Sequence, residues 1–218
     1  MSSHTAPRFD AAALVSIDVQ RDTLDGRPLE ISGTSAALPA MAKLAEAFRR
    51  AGRPIIHVVR LYRADGSNVD LSRRALVEGG ARILAPGDEG AQLAPGLAPD
   101  GAPELDADVL LAGELQPLGS GEWALYKPRW GAFYETALEE HLRALGVDTL
   151  VFCGANFPNC PRTSVYEASE RDFRIVVATD AVSGIYDRGR AELEAIGVRL
   201  APADDVVVAL SVAAAAEH

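Results

Sequence analysis

The chain has 218 residues, a length that favours one large domain, residues 1–218, over two. Hydrophobic residues make up 48% of the chain and the mean hydropathy is +0.05, as expected of a soluble globular protein with a substantial core. The formal net charge of −10 argues against general binding to nucleic acids or to anionic membranes. This overall charge is still compatible with a local basic pocket.

Two cysteines, Cys153 and Cys160, lie in one short segment. Their spacing is unlike the disulfide framework of a secreted protein, so we expect a reducing, cytoplasmic location. The first residues, MSSHTAPRFD, show no apolar signal core. The apolar stretch Val206 to Ala216 is too short to span a membrane. We expect it to form a terminal helix, or a strand and a helix, that packs on the domain or on a partner subunit.

The first third of the chain predicts a strand, a helix and a second strand. The apolar run Ala11 to Ile17 indicates a buried strand that ends before Asp18. Apolar residues at helical spacing from Thr34 to Ala51 indicate a helix, with Gly52 as its C-cap. Pro54 then opens PIIHVVRLY, which is typical of another buried strand.

A region rich in proline and glycine follows, from Leu84 to Gly121. We expect loops here, with a short helix or an extra hairpin, because Asp108 to Ala112 and Glu122 to Tyr126 have strand-like composition. The region is long for an ordinary connection, so part of it is expected to shape or cover a site, or to form an interface. Residues 100–121 are predicted to be an insertion.

The remaining segments alternate regularly between helix and strand. Helices are predicted at Tyr134 to Leu145, Cys160 to Arg171 and Arg188 to Ile196, and strands at Val147 to Cys153, Phe173 to Ala178 and Val198 to Leu200. The strands are apolar on both faces, which indicates an α/β fold whose parallel sheet is covered by helices on both sides. In such folds ligands bind beyond the carboxyl ends of the strands.

Asp18 and Lys127 each follow a predicted strand, and each has an ordinary alternative interpretation. A carboxylate after a strand often caps a turn, and a lysine there is usually solvated. A phosphotransferase interpretation of Asp18 requires a second aspartate at position 20, where this chain has Gln20. Lys127 lies in ALYKPRWGAF, among aromatic residues that are more typical of a pocket wall than of an open surface.

Cys160 lies in GANFPNCPRTS, between a predicted strand and a predicted helix. Cysteine is most often a small buried hydrophobe, which suits Cys153 inside its strand. Pro161 is typical of the first turn of a helix, so Cys160 is placed at a helix N-terminus, where the dipole favours a thiolate. Because parallel strands end at one edge of a sheet, we expect Asp18, Lys127 and Cys160 to meet there.

The four histidines are scattered, at positions 4, 57, 141 and 218. None has an evident place beside Cys160, so a carboxylate and a lysine are the expected partners of the thiol. The same scatter argues against a three-histidine metal site. We therefore expect neither a metal nor another cofactor.

Several stretches of the sequence resemble the isochorismatase-like cysteine hydrolases. They are LVSIDVQRD, PGDEGAQLAPGLAP, KPRWGAFYETALEEHLRALGVDTLVFCG and CPRTSVYEASERDFRIVVATDAVSG. The resemblance implies a three-layer α-β-α, Rossmann-like fold with a six-stranded, mostly parallel sheet, assembled as a homodimer or homotetramer. It also implies a catalytic triad of Asp18, Lys127 and Cys160.

The resemblance further implies a mechanism through a thioester, in which Asp18 takes the thiol proton and Lys127 stabilises negative charge. It implies a cis peptide between Ala155 and Asn156, which aims the N–H groups of Asn156 and Cys160 at an oxyanion. The segment after the second strand, RLYRADGSN, lacks the histidines with which nicotinamidases hold a metal.

The expected substrate is a small amide, ureido or carbamoyl compound. Arg60, Tyr62 and Arg162 are predicted to bind an anionic or carbamoyl group, although arginines paired with surface acids are an alternative. Aromatic walls are predicted from Trp130, Phe133 and Phe157. Two other functions stay open: vinyl-ether hydrolysis of the isochorismatase type, and a non-catalytic ligand-binding protein on the same fold.

Overall fold

The computed structural model describes residues 4–216, so His218 lies outside the described part of the chain. The strands are β1 (Ala12–Ile17), β2 (Ile55–Val59), β3 (Gln116–Gly119), β4 (Glu122–Tyr126), β5 (Thr149–Gly154), β6 (Arg174–Val182) and β7 (Arg199–Ala201). The helices are α1 (Thr34–Arg50), α2 (Leu71–Glu78), α3 (Ala107–Leu111), α4 (Leu138–Ala144), α5 (Cys160–Ser169), α6 (Asp187–Ala195) and α7 (Ala203–Ala216).

All of these strands form one sheet in the order β3-β4-β2-β1-β5-β6-β7. Neighbouring strands are parallel, except that β3 runs antiparallel to β4 at one edge. The predicted α/β class is confirmed, but the sheet has seven strands rather than six. The edge position of β3 allows it to contain Pro117, which lacks a backbone donor.

Two predicted elements differ from the structure for local reasons. Asp108 to Ala112 was expected as a strand, but it belongs to helix α3, because the Asp106 carboxylate caps that helix by accepting from two backbone N–H groups. The helix predicted from Tyr134 begins only at Leu138, since Glu135 has a left-handed backbone, with φ of +52°. Residues 100–121 contain α3 and β3, and their status as an insertion stays a prediction.

Each face of the sheet has its own apolar core. Met41 and Phe48 of α1 and Leu210 of α7 are buried on one face. Leu142 of α4 and Val165 of α5 are buried on the other. These helices therefore form the outer layers of a three-layer fold. Among residues 4–216, each helix is too short or too polar to cross a lipid bilayer.

Candidate active site

Four parallel strands end side by side at one edge of the sheet, in the order β4, β2, β1, β5. The residues that follow these ends are Lys127, Arg60, Asp18 and, after a short turn, Cys160. Side chains that are far apart in the sequence are thus brought together by strand order. This is the edge at which ligands bind in open α/β sheets.

The backbone at Asp18 has an unusual left-handed conformation, and hydrogen bonds hold it in place. Asp18 has a left-handed φ of +54°, and its N–H donates to Val58 O at 2.9 Å. Its carbonyl accepts from Thr23 Oγ1 at 3.0 Å. On the neighbouring strand, a Cβ on Gly154 would lie 2.2 Å from Ile17 O. Only glycine lets β5 approach β1 this closely, so the Asp18 turn and the segment before Cys160 stay adjacent.

Asp18 and Lys127 form a buried ion pair. Lys127 Nζ lies 2.9 Å from Asp18 Oδ2, and the Lys127 side chain has no exposed surface. The same ammonium donates to Arg129 O at 3.2 Å. Asp18 Oδ1 is buried and has no hydrogen-bond partner among the described residues. The pair therefore leaves one carboxylate oxygen available to accept a proton.

Cys160 is 4% exposed at the N-terminus of α5. The pKa of its thiol is raised to about 11, first by burial and then by the negative charge of Asp18, against the lowering effects of Lys127 and Arg60. The pKa of Cys153 is raised to about 12 by burial alone. A helix N-terminus led us to expect a thiolate at Cys160. Burial and the neighbouring Asp18 carboxylate instead favour the neutral thiol, which requires a base to react.

The segment that leads into α5 carries two backbone N–H groups for which no acceptor is found among the described residues. The amides of Asn156 and Cys160 donate no hydrogen bond to the described residues. In contrast, the next amides in the helix are engaged, since Arg162 N–H donates to Phe157 O at 3.3 Å and Thr163 N–H to Asn159 O at 2.9 Å. Unpaired donors at a helix N-terminus are suited to a negative oxygen.

The peptide bond between Ala155 and Asn156 is trans, so the prediction of a cis bond there is wrong. Residues 4–216 contain no cis peptide bond. The turn is held by Phe157 N–H donating to Ser183 O at 2.8 Å and Asn159 N–H donating to Asn156 O at 3.1 Å. Since these hydrogen bonds form with the lower-energy trans peptide, the turn needs no cis bond.

Arg60 and Tyr62 belong to a buried polar cluster next to the ion pair. Arg60 Nη2 donates to Asp70 Oδ2 and, at 3.0 Å, to Tyr62 OH. The Tyr62 hydroxyl donates to Asp70 Oδ2 at 2.9 Å and accepts from Arg73 Nη1 at 3.0 Å. Burial raises the pKa of Tyr62 to about 12, so it stays a neutral donor. Arg60 is only 2% exposed, and its Nε and Nη1 have no partners among the described residues.

Sequence reasoning missed Gln20, Asp70 and Arg73. Gln20 is fully buried, accepts from Arg60 N at 2.8 Å and donates to Arg60 O at 2.9 Å. It also donates to Ala91 O at 2.6 Å, so it fixes the backbone of Arg60. The spacing of Asp70 and Arg73 was a usable signal, because residues three apart on a helix are neighbours.

A cavity of about 490 Å³ adjoins this region. Its lining includes Trp130, which is 40% exposed, together with Asp70, Arg129 and Thr163. Asp70 pairs with Arg60, and the Arg129 carbonyl accepts from Lys127, so the cavity shares walls with the ion pair and the Arg60 cluster. Trp130 lines this cavity, and its role in substrate binding stays a prediction.

The structure places three other predicted substrate-binding residues differently. Arg162 donates to Tyr186 OH at 2.7 Å and pairs with Glu192 at 2.5 Å, so its guanidinium is engaged by neighbouring surface groups. Phe133 and Phe157 are 5% and 1% exposed and pack in the apolar core. Their aromatic rings were expected to be pocket walls, but burying them with core neighbours is the more favourable use of their apolar area.

A family model for the isochorismatase domain matches residues 12–196. This match covers most of the chain, so the chain belongs to the isochorismatase family and is a hydrolase of that family. Its relatives include amidohydrolases, as the comparison with solved structures illustrates.

Three proteins illustrate what this chain is similar to in sequence and in structure. A probable inactive nicotinamidase of Arabidopsis thaliana is 29% identical over 203 residues, covering 89% of this chain and 93% of that protein. The structure of an isochorismatase family protein from Desulfovibrio vulgaris has a TM-score of 0.77 and 34% identity, covering 91% of this chain and 98% of its own. N-carbamoylsarcosine amidase from Thermoplasma acidophilum has a TM-score of 0.69 and 26% identity, covering 88% and 96% of the two chains.

Proposed function

We propose that this chain is a cysteine hydrolase that cleaves a C–N bond of a small amide, ureido or carbamoyl compound through a thioester. One observation carries the proposal: Lys127 holds one oxygen of the buried Asp18 carboxylate at 2.9 Å, and the other oxygen has no partner among the described residues. That free oxygen is the base that the neutral Cys160 thiol requires. The similarity to an N-carbamoylsarcosine amidase supports chemistry at a C–N bond.

In the first half of the reaction, the thiol proton moves to Asp18 Oδ1 as Cys160 Sγ bonds to the carbonyl carbon. Because burial and the charge of Asp18 raise the pKa of the thiol, the proton transfer accompanies the attack of the sulfur. The amides of Asn156 and Cys160 donate to the new oxyanion. The C–N bond then breaks, the Asp18 proton passes to the leaving nitrogen, and a thioester remains.

In the second half, a water molecule attacks the thioester carbonyl and gives its proton to Asp18. The C–S bond breaks, the acid is released, and the proton returns from Asp18 to the Cys160 sulfur. Lys127 pairs with the Asp18 carboxylate at the start and the end of the cycle, and its positive charge offsets the negative charge that develops on the oxyanion. Each group therefore ends the cycle in its starting state.

Ammonia release from a panel of small amides, ureido acids and carbamoyl compounds tests the proposal. For any compound that is turned over, acid quenching followed by intact-protein mass spectrometry should detect an acyl adduct on the peptide that contains Cys160. Cys160→Ser should abolish both signals, and Cys153→Ser, the matched control, should retain them. Turnover that survives in Cys160→Ser, or consumption of a vinyl ether in place of every amide, would contradict the proposal.

A further inference from the structure

Three large apolar side chains are exposed around the cavity beside the candidate active site. Leu71 is 81% exposed, Tyr134 is 47% exposed and Trp130 is 40% exposed, and all three line the cavity. Leaving this much apolar area in water is unfavourable, and such patches mark surfaces that a ligand or a partner covers. The cavity, here called the apolar cavity, therefore has a feature that the reacting groups do not explain.

Both walls of the apolar cavity are held by contacts within the protein. On one side, Phe133 N–H donates to Glu167 Oε2 at 2.9 Å, which fixes the segment that carries the aromatic side chains against helix α5. On the other side, Leu71 directly follows Asp70, whose buried carboxylate is paired with Arg60. The cavity is therefore formed before a ligand binds, as is usual for small-molecule sites.

The charged residues around the apolar cavity do not specify an ionic ligand. The Asp70 carboxylate is already paired with Arg60, and the other two charged residues that line the cavity, Arg129 and Glu167, are opposite in sign. The lining surface is mostly apolar. Because an ion loses hydration when it enters such a cavity, a neutral hydrocarbon group is the better occupant.

The apolar cavity extends along helix α5, away from Cys160. Thr163 and Glu167 line it, and they follow Cys160 by three and seven residues, which places them on the same face of the helix. At a rise of about 1.5 Å per residue, they lie about 5 Å and about 10 Å from Cys160 along the helix axis. A group in the cavity is therefore separated from the reacting carbonyl by a comparable distance.

We propose that the apolar cavity binds a neutral aryl or branched alkyl group of the substrate, about 5–10 Å from the carbonyl that Cys160 attacks. The inference rests on the proposed function, because it adds an apolar end to the amide, ureido or carbamoyl compound of that site. The volume of about 490 Å³ lies within the range of cavities that bury whole small-molecule ligands.

A second copy of this chain is the other occupant to consider. A stable interface buries about 800 Å² on each partner, and three partly exposed side chains around a hollow supply only a fraction of that area. The concave shape and the position along the helix that begins with Cys160 favour the substrate.

Iodoacetamides that differ only in the group on nitrogen test the apolar site without knowledge of the substrate. With each reagent, the bond between Cys160 Sγ and carbon forms as iodide leaves, and the thiol proton is released. The labelling rate of Cys160 is divided by the rate for glutathione in the same buffer. We expect this ratio to rise at least about tenfold from the N-methyl to the N-benzyl reagent, because the benzyl group buries several more carbons. Peptide mass spectrometry separates Cys160 from Cys153.

Substitutions in the cavity wall locate this rise. Trp130→Ala should remove most of it, and Leu71→Ala should reduce it about threefold, since each removes apolar contact area. Leu76→Ala is the matched control, because that leucine lies on the same helix, is 50% exposed and does not line the cavity. It should leave the rise unchanged. If Trp130→Ala does not fold by circular dichroism, Leu71→Ala still decides the outcome, since truncating an exposed side chain costs little stability.

A rise of less than about tenfold in the natural protein would overturn the apolar site. An undiminished rise in folded Leu71→Ala or Trp130→Ala, or a diminished rise in Leu76→Ala, would do the same. So would failure of every reagent to label Cys160, because a cavity that holds part of the substrate must open onto the sulfur. If sedimentation shows a dimer that Leu71→Ala dissociates while the rise is unchanged, a second copy covers the cavity and the inference is wrong.

The proposed function and the apolar site can fail separately. The full rise without turnover of any amide would keep the apolar site and reject the proposed function. Amide turnover that depends on Cys160, without the rise, would keep the proposed function and reject the apolar site.

Discussion

Two groups of polar side chains are positioned by the same three strands, β1, β2 and β4, and they differ in how fully their buried polar atoms are hydrogen bonded. The first, here called the internal network, consists of Ser16, His57, Glu122 and Arg49. Ser16 Oγ and His57 Nδ1 are hydrogen bonded at 2.7 Å, and His57 Nε2 and Glu122 Oε1 are hydrogen bonded at 2.7 Å. Arg49 donates to both carboxylate oxygens at 2.7 Å.

The second group is the candidate active site, which begins only two residues beyond Ser16 and three beyond His57. There, Asp18 Oδ1 and two nitrogens of Arg60 have no partners among the described residues. The internal network has no buried side-chain polar atom that lacks a partner among the described residues. The difference separates a structural group from one that is organised for a ligand.

The internal network also shows why residue types do not define a site by themselves. A serine, a histidine and a glutamate in hydrogen-bonded series resemble a nucleophilic triad. However, Ser16, His57 and Glu122 are each at most 1% exposed, and they belong to the strands themselves and not to the segments that follow the carboxyl ends of the strands. A substrate has no route to this serine, so the series contributes to stability and not to chemistry.

Substituting each cysteine by alanine in turn should give the largest difference between the effect on activity and the effect on stability. Cys160→Ala removes the nucleophile, so kcat/KM for a turned-over amide should fall by about 10³-fold or more. Its free energy of unfolding should change by only about 1 kcal/mol, since one small side chain is truncated. Cys153→Ala should cost a similar free energy and leave kcat/KM unchanged. Ammonia release and urea unfolding give the two readouts, and lost activity in Cys153→Ala would break the comparison.

Removing the negative charge of the internal network should lower the stability of the protein and leave its activity almost unchanged. Glu122→Gln leaves Arg49 and His57 without their carboxylate, and breaking a buried pair should lower the free energy of unfolding by about 3 kcal/mol. In the folded variant, kcat/KM should stay within about threefold of the natural value, because Glu122 does not touch the site. Chemical unfolding measures the free energy of unfolding. Steady-state kinetics, at denaturant concentrations well below the unfolding midpoint of the variant, measure kcat/KM. A large loss of activity with little loss of stability would assign Glu122 to the site.

The same substitution should change the response to acid. Burial raises the pKa of Glu122, but hydrogen bonds from Arg49 and His57 outweigh it, so the pKa lies below its ordinary value. A lowered pKa contributes stability above the unfolded value of about 4.3, and this stability is lost as pH falls through the folded value. The stability gap between the natural protein and Glu122→Gln should therefore narrow below about pH 4.5. Urea unfolding from pH 7 to pH 3 tests this, and a constant gap would be inconsistent with it.

The smallest effect is expected at the far end of the network. Ser16→Ala removes the hydrogen bond between Ser16 Oγ and His57 Nδ1 and should lower the free energy of unfolding by about 1 kcal/mol. Ser211→Ala is a suitable control, because that exposed serine donates only to Val207 O in helix α7. It should change stability by less than about 0.5 kcal/mol. Equal effects of the two substitutions would show that the buried hydrogen bond contributes little.

The parts of the fold that were predictable are those with local causes. Apolar runs and helical spacing indicated β1, β2, β5 and helix α1, because burial of apolar area depends on the period of the sequence. Polar residues directly after the runs pointed to Asp18 and Lys127, since strand ends meet at one edge. The strand predicted at Asp108 to Ala112 was wrong for an equally local reason. Asp106 caps a helix there, and this cap was not recognised in the sequence.

Other features were decided by neighbours in space. Phe133 and Phe157 are core residues, although each lies in a motif that suggested a pocket. The pairing of Arg60 with Asp70 depends on how the segment after β2 folds back, and the contact of Gln20 with Arg60 depends on β1 lying beside β2. No periodicity in the sequence encodes such contacts.

By itself, the sequence determined an α/β fold and the residues able to do chemistry, because hydrophobic period and side-chain type are properties of each segment. Only the tertiary structure decided which polar groups are paired and which are left open. The order β4-β2-β1-β5 sets Lys127 against Asp18, closes the internal network, and leaves Arg60 with free donors. A hydrogen bond between residues that are remote in the sequence requires a donor and an acceptor within about 3 Å of each other. That distance is reached only when the strands lie side by side.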